Sequence, residues 1–266
     1  MGFFTVGDDL YHRRDIGETM RENYTLTRLF LEADLSQGDD IDLSREQAHY
    51  LGSVLRRVEG ASIRVFNGRD GEWRAEISEI GKKSGRLSVI ESLRDQNEVP
   101  DMTLLFAPVR KHRTGFIIEK ATELGVKTLK PVLTTRTQFP RFNHDKARLQ
   151  AIEAAEQTER LDVPDIQSLQ PLKDVLASWG GRPILFADEA GGGQSVEAAV
   201  KNISAPAVIL IGPEGGFSPE ERQELLSLDY VTPVSLGPRI LRADTAALSL
   251  LTLWQALSGD WTGSAS

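Results

Sequence analysis

The chain has 266 residues, 40% of them apolar and 26% charged, with a formal net charge of −8. That length supports one large or two modest domains, each with its own core, and the absence of cysteine excludes disulfides, thiolate zinc sites and a cysteine nucleophile. No run approaches the roughly 18 uncharged apolar residues of a membrane span and the chain opens without a charged-then-apolar leader, so a cytosolic protein is expected, and the negative charge argues against a generic nucleic-acid binder.

Residues 1–19 are polar and aperiodic, and are read as an N-terminal extension, either from an upstream start site or as a disordered tail. From Thr27 to about Ser92 the pattern is short strands: Thr27–Leu31, Ile41–Leu43, Ser62–Phe66, Glu72–Ile80 and Arg86–Glu91, separated by Gly/Asn/Asp/Lys punctuation. Asn67-Gly68 and Asp70-Gly71 are turn signals. One helix interrupts the strands. Ser44 with Gln47 forms a capping box, and His49, Leu51, Val54, Leu55 and Val58 follow at helical spacing. Residues 20–92 are therefore expected to form a small β-barrel or sandwich domain. The polar stretch 93–102, containing Pro100, reads as a linker.

From Thr103 onward, strands and helices alternate. Strands are expected at Thr103–Ala107, Leu129–Leu133, Ile184–Ala187, Ala207–Ile211 and Val231–Leu236. Helices are expected at Thr114–Leu124, His144–Arg160, Leu172–Trp179, Ser195–Asn202, Ser218–Leu226 and Thr245–Ser258. Such alternation predicts an α/β domain over 103–266, with a largely parallel sheet and helices on both faces. Charge is uneven: residues 93–150 carry 11 Lys/Arg against 6 Asp/Glu, whereas 151–266 carry 7 against 16. The basic segment is either a solvated helix face or a local phosphate footprint. The four histidines, His12, His49, His112 and His144, share no metal-ligand spacing, so no metal is expected.

Two turns stand out. Leu210-Ile-Gly-Pro-Glu-Gly-Gly-Phe217 follows one apolar run and leads into Ser218-Pro-Glu-Glu221, a capping box with Pro at the first helical position. Leu236-Gly-Pro-Arg-Ile-Leu-Arg-Ala-Asp-Thr245 follows another, with Asp244 or Thr245 available to cap the next helix. Neither is a phosphate loop, because no Gly-Lys-Ser/Thr ending is present, and neither carries the dinucleotide fingerprint. Paired turns of this kind suit one ligand crevice at the carboxyl ends of neighbouring strands.

These residues resemble the RsmE-type ribosomal RNA methyltransferases of the SPOUT superfamily. Glu119-Lys-Ala-Thr-Glu-Leu-Gly-Val126, Glu153-Ala-Ala-Glu-Gln157 with Arg160, Val163 and Pro164, and Arg28-Leu-Phe-Leu31 with His49 and Val54-Leu-Arg56 agree with the same family. The resemblance runs from about Met20 to the C-terminus. It implies a SPOUT-type knotted α/β methyltransferase domain preceded by a PUA-like β-barrel, a homodimer, and S-adenosylmethionine as cofactor. The reaction it implies is methylation at N3 of one uridine in small-subunit (16S) ribosomal RNA.

Carried over by position, the resemblance implies a cofactor cradle of Phe186, Ala187, Ile211, Gly212, Pro213, Gly215, Gly216, Leu236, Gly237, Ile240, Leu241 and Thr245. Arg239 and Arg242 would sit near the methyl group, with Glu214 a candidate base or a backbone-bracing carboxylate. Arg28, Arg56, Lys111, Arg113 and Arg136 would face RNA. Two positions depart from the family pattern: Asp244 stands where Glu is common and Ala243 where Thr is common.

The inventory suits that chemistry. Methylating C5 of a pyrimidine calls for a cysteine nucleophile, and none exists, whereas N3 needs only loss of its proton, stabilisation of the anionic base and in-line positioning. A different nucleotide-binding α/β enzyme and a non-catalytic RNA-binding module remain as alternatives. The missing fingerprint weighs against the first, and the second leaves the two Gly-rich turns without a purpose beyond folding.

Overall fold

In the computed structural model, residues 23–201, 203 and 205–262 are described, so the expected extension over 1–19 lies outside them. The chain divides into two compact units, up to Asn97 and from Glu98.

The first unit is a five-stranded sheet in the order β1-β3-β4-β5-β2, with β1 Arg28–Phe30, β2 Asp40–Leu43, β3 Ser62–Phe66, β4 Glu72–Ile80 and β5 Gly85–Arg94. β1 and β3 are parallel and the other pairs antiparallel. Irregularities in the β4–β5 register at three places bend the long pair, as bulges do. Leu29, Ile41, Leu51, Ile63, Val65, Ile77 and Leu87 form the core. β5 continues to Arg94, two residues into the expected linker. The Asn67–Gly71 turn is held by its own side chains: Asn67 accepts from the Arg69 and Asp70 amides. Hydrogen bonds from the Asn67 amide and the Leu35 N–H hold the Asp70 carboxyl below its usual range.

The capping box forms, with Ser44 and Gln47 bonded reciprocally, and opens helix α1, Arg45–His49. The helix then loosens into a π turn, Tyr50–Val54. This departs from the single regular helix expected there. The extra residue per turn shifts the register, so Ala48 and Leu51 are buried while Val54 and Val58 are 58% and 67% exposed. Arg56, just beyond, has φ +53, the left-handed region that non-glycine residues rarely adopt.

Arg28 is corrected here. Expected to face RNA, it is 5% exposed and lies over the Phe66 ring at 4.3 Å. Its Nε donates to buried Glu72 at 2.6 Å, and Glu72 also accepts from Arg94 at 2.9 Å and Arg64 at 3.3 Å. A buried carboxylate needs partners to offset its lost hydration, and the strand pairing that buries Glu72 brings Arg28 in with it.

The second unit is a parallel sheet ordered β11-β13-β10-β12-β6-β7-β8, with β9 pairing β7. Its strands are β6 Met102–Phe106, β7 Thr128–Leu133, β8 Asp165–Ile166, β9 Gln170–Pro171, β10 Ile184–Ala187, β11 Gln194–Ser195, β12 Ala207–Ile211 and β13 Val231–Ser235. The two-residue strands β8, β9 and β11 carry too few positions for any periodicity to show. Helices are α2 Lys111–Glu123, α3 His144–Gln157, α4 Leu172–Ala177, α5 Val196–Val200, α6 Pro219–Leu226 and α7 Ala243–Ser258.

Successive strand residues point to opposite faces, and the core divides accordingly. Leu104, Phe106, Ile209 and Ile211 pack with Ile117 of α2, Ala151 of α3, Val200 of α5 and Leu250 and Trp254 of α7. Leu105, Val208, Leu210 and Phe186 pack with Leu176 of α4 and Leu225 of α6. Helices thus cover both faces, as the alternation predicts.

Several helix ends differ from expectation: α2 starts at Lys111 rather than Thr114, α4 stops at Ala177 and α5 at Val200, and two further differences have a visible cause. α3 stops at Gln157, because Glu159 is left-handed at φ +61 and Arg160 turns back to donate to the carbonyls of Thr122 and Val126. α7 starts at Ala243 with Arg242 as its cap residue and no side-chain cap. Neither Asp244 nor Thr245 caps it; Asp244 is drawn instead to Arg113.

Candidate functional site

β12 and β13 both follow β10 in the chain yet lie on opposite sides of it. The loops leaving the carboxyl ends of these three strands line one cleft of about 260 Å³, the position expected for a ligand in an open α/β sheet. Its walls are the turn Ile211–Gly216, the turn Leu236–Arg242, and the segment from Ala187 to Gly191.

Each wall has a local cause. The first turn is pinned by α6, where Ser218 accepts from the Glu221 amide and Glu221 accepts from the Ser218 amide. Glu221 also accepts from the Thr135 amide at 2.7 Å. Gly216 sits at φ +64, and a Cβ there would stand 1.9 Å from Glu189 Oε1. Gly212 lies under the Phe217 ring, which a Cβ would meet at 2.5 Å. In the second turn Gly237 has φ +100 with nothing within 4 Å of its missing Cβ, so the space there is the cleft's own.

The arginines separate into two kinds. Arg113, on the first turn of α2, donates to both oxygens of Asp244 at 3.0 and 3.1 Å and lies 3.8 Å from Glu214. Arg136 donates to the Gly215 carbonyl at 3.1 Å. Both brace the turns. Arg239 and Arg242 line the cleft, are exposed, and have no ion-pair partner among the described residues. Free guanidiniums at a cleft mouth are available to an anionic ligand.

Of the expected cradle, Ala187, Ile211, Gly212, Pro213, Gly216, Leu236, Gly237, Ile240 and Leu241 line the cleft, and so does Glu214. Phe186 is fully buried against Phe217, so only its backbone is at hand. Gly215 faces Arg136, and Thr245 is exposed and does not line the cleft. Lys111 lines a different cavity, and Arg56 is in the first unit.

Asp188 and Glu189 were not anticipated. Asp188, its side chain 1% exposed, accepts a paired bond from Arg222 of α6 at 2.8–3.1 Å. That bond raises Arg222 above its ordinary pKa against the opposing effect of burial. Glu189 accepts from the Phe217 amide at 3.3 Å. The signal was present as an acidic pair set directly after an apolar strand.

The cleft suits an adenosine-like group. Leu236, Ile240, Leu241 and Ala246 offer an apolar slot, and the Ile240 and Leu241 backbone amides make no hydrogen bond among the described residues. Gly216→Ala is expected to lose about 1–2 kcal/mol of stability, since its φ disfavours any side chain. Adding Glu189→Ala should recover only the steric part, and a fully stable single variant in urea unfolding would contradict the geometry.

A backbone-lined crevice at the carboxyl edge of a parallel sheet, with cations at its mouth, defines a cofactor-binding α/β enzyme. The RNA methyltransferase domain family matches residues 95–255, and the RNA methyltransferase PUA domain family matches residues 43–90. The ribosomal RNA small subunit methyltransferase E of Rickettsia conorii is 32% identical over 230 residues, covering 84% of this chain and 93% of that protein. Its counterpart from Synechocystis is 33% identical over 224 residues, covering 82% and 73%. A Neisseria gonorrhoeae protein of the same description, solved bound to S-adenosyl methionine, superposes with a TM-score of 0.80 at 26% identity over 89% of this chain and 99% of that one. The chain belongs to the RsmE-type RNA methyltransferase family, with a PUA-like domain preceding the methyltransferase domain.

Proposed function

We propose that this protein methylates N3 of one uridine in small-subunit ribosomal RNA, using S-adenosylmethionine. The observation that carries the reading is the pair of unpaired guanidiniums, Arg239 and Arg242, at the mouth of a cleft walled by backbone. The cofactor supplies an electrophilic methyl on a sulfonium. Backbone groups of Leu236, Ile240 and Leu241 would receive adenine and ribose, and the turn Ile211–Gly216 would close the other side. Uridine N3 would give up its proton to solvent at the open cleft mouth, bear the developing charge and take the methyl, while the methyl–sulfur bond breaks and its electron pair leaves with the neutral thioether S-adenosylhomocysteine. An arginine held beside the base favours that charge, and orientation supplies much of the remaining rate.

Glu214 already faces Arg113 at 3.8 Å, which supports a bracing role over that of a base. Among the charged groups of the cleft, the anionic state of the base is served by Arg239 and Arg242 alone.

The same reading takes the protein as cytoplasmic, as a trefoil-knotted chain and as a homodimer. For the dimer, Leu253 and Leu257 on α7 are 40% and 44% exposed and Trp261 beyond it 54%, an apolar strip that a second copy would cover. Sedimentation showing one copy per particle would overturn that part.

The test of the reaction is mass mapping of small-subunit ribosomal RNA incubated with the protein and S-adenosylmethionine. One added methyl at a uridine, blocking its pairing edge, is expected. A methyl on carbon or on ribose oxygen would refute the N3 assignment, and no methyl on either free RNA or isolated subunits would refute the reading.

A further inference from the structure

The second unit holds another, larger cavity of about 660 Å³, a volume within the roughly 300–1,000 Å³ of ligand sites. It is bounded by the first turns of α2 and α3 and by the segment 138–143. Three cations line it, Lys111, Arg141 and Lys146, with no Asp or Glu in its lining. All three are exposed and none has an ion-pair partner among the described residues. Several other cations of this unit are engaged, Arg113 with Asp244, Arg160 with Asp162, Lys201 with Glu197 and Arg222 with Asp188, so what sets the groove apart is three unengaged cations around one cavity.

The rest of the lining suits a base. Phe142 is fixed edge-on to Phe106, with centroids 6.2 Å apart. Phe139 is half-buried and packs with none of the hydrophobic clusters, which leaves its ring for a ligand. Gln138 and Gln150 also line the cavity. Both helices begin at the cavity: α2 has Arg110 as cap residue with no side-chain cap, and α3 is capped by Asn143. Helix N-termini favour anions, here in addition to three full charges.

Two short segments connect the cavity to the braces of the cleft along the chain. Lys111 is two residues from Arg113, which holds Asp244 and Glu214. Gln138 is two residues from Arg136, which holds Gly215. The basic, aromatic groove and the cleft thus belong to the same unit and are tied to the same bracing arginines.

We propose that this groove binds the single-stranded RNA flanking the methylated nucleotide, with phosphates on Lys111, Arg141 and Lys146 and a base against Phe139. The proposal rests on the reading of the protein as an RNA methyltransferase. It also accounts for how a chain of net charge −8 holds a polyanion, since the phosphate contribution needs only a local cationic surface.

The test is filter binding of small-subunit ribosomal RNA, both as a transcript and in isolated subunits, from about 50 to 200 mM salt. Two variants are compared with the parent, the triple K111A/R141A/K146A and the single Phe139→Ala. The triple variant is expected to bind about 10- to 100-fold more weakly, with a log–log salt slope shallower by about 2, since each single-strand phosphate contact contributes about 0.7. Phe139→Ala should weaken binding about 10-fold with the slope unchanged, because stacking involves no counterions. Calorimetric titration with S-adenosylmethionine should give the parent's affinity for both, showing the cleft intact.

RNA affinities within about two-fold of the parent, at the parent's slope, would overturn the groove and leave the enzyme reading standing. A triple variant with unchanged RNA affinity but an altered solution mass would assign the groove to contact between copies. A parent that binds S-adenosylmethionine and neither form of RNA would overturn the enzyme reading, and the groove with it.

Discussion

Arg242→Ala is expected to slow methyl transfer to small-subunit ribosomal RNA about 100-fold while leaving S-adenosylmethionine affinity within about two-fold, as loss of one preorganised charge-stabilising donor does elsewhere. The variant isolates the chemistry because Arg242 has so little structural work. It is the cap residue of α7 but contributes no side-chain cap, and it has no ion-pair partner among the described residues. Truncating it leaves no buried charge and no orphaned carboxylate. Arg242→Lys keeps the charge but not the planar fork, so partial recovery would indicate that charge matters more than geometry. Single-turnover transfer of a labelled methyl, read beside calorimetry of the cofactor, separates the two effects. An unchanged transfer rate for Arg242→Ala and for Arg239→Ala would refute the assignment of either guanidinium to the developing charge.

Arg113→Ala makes a useful contrast. Arg113 joins α2 to Asp244 and Glu214, so its loss disturbs the turns themselves, and cofactor affinity should fall together with rate. The difference between the two variants distinguishes a group that meets the reacting base from one that positions the walls.

The largest expected effect on stability lies in the first unit. Glu72→Gln removes the charge from a carboxylate whose side chain is 1% exposed and which accepts from Arg28, Arg64 and Arg94. The amide keeps the volume but removes the negative charge that Arg28 and Arg64, themselves 2% and 4% exposed at the side chain, share with Arg94. Breaking a buried ion pair from one side costs about 3–5 kcal/mol. Trp73, next in the chain and half-buried on β4, reports the unfolding by fluorescence in urea. S-adenosylmethionine binding, which belongs to the second unit, should persist. A loss below about 1 kcal/mol would mean that the cluster tolerates the arginines without the carboxylate.

The elements legible in the sequence are those with enough residues to show a period. β3, β4, β10 and β12 form over the expected residues, because alternating or fully buried apolar runs declare themselves locally. Both capping boxes were readable for the same reason, since a cap is made by residues three apart. The two Gly-Pro turns were readable as crevice walls because glycine and proline have local backbone consequences.

The departures share another cause. The π turn at Tyr50–Val54 depends on which face of the helix meets the sheet, so local spacing alone predicts the wrong burial for Val54 and Val58. Asp244 is a plausible cap by sequence and a partner of Arg113 in space, 131 residues away. Asp188 and Glu189 come to the cleft through Arg222 and Phe217.

Arginine is the clearest case. Arg28, Arg113, Arg136, Arg239 and Arg242 are one residue type, and nothing local marks one as buried, two as braces and two as free. Sequence determines the class of this chain: the strand–helix alternation, the paired turns, and the chemistry excluded by the missing cysteine and phosphate loop. Only the tertiary structure assigns the charges, because a guanidinium's role is set by whichever carboxylate or carbonyl the fold brings within about 3 Å of it, and those partners lie tens to more than a hundred residues away.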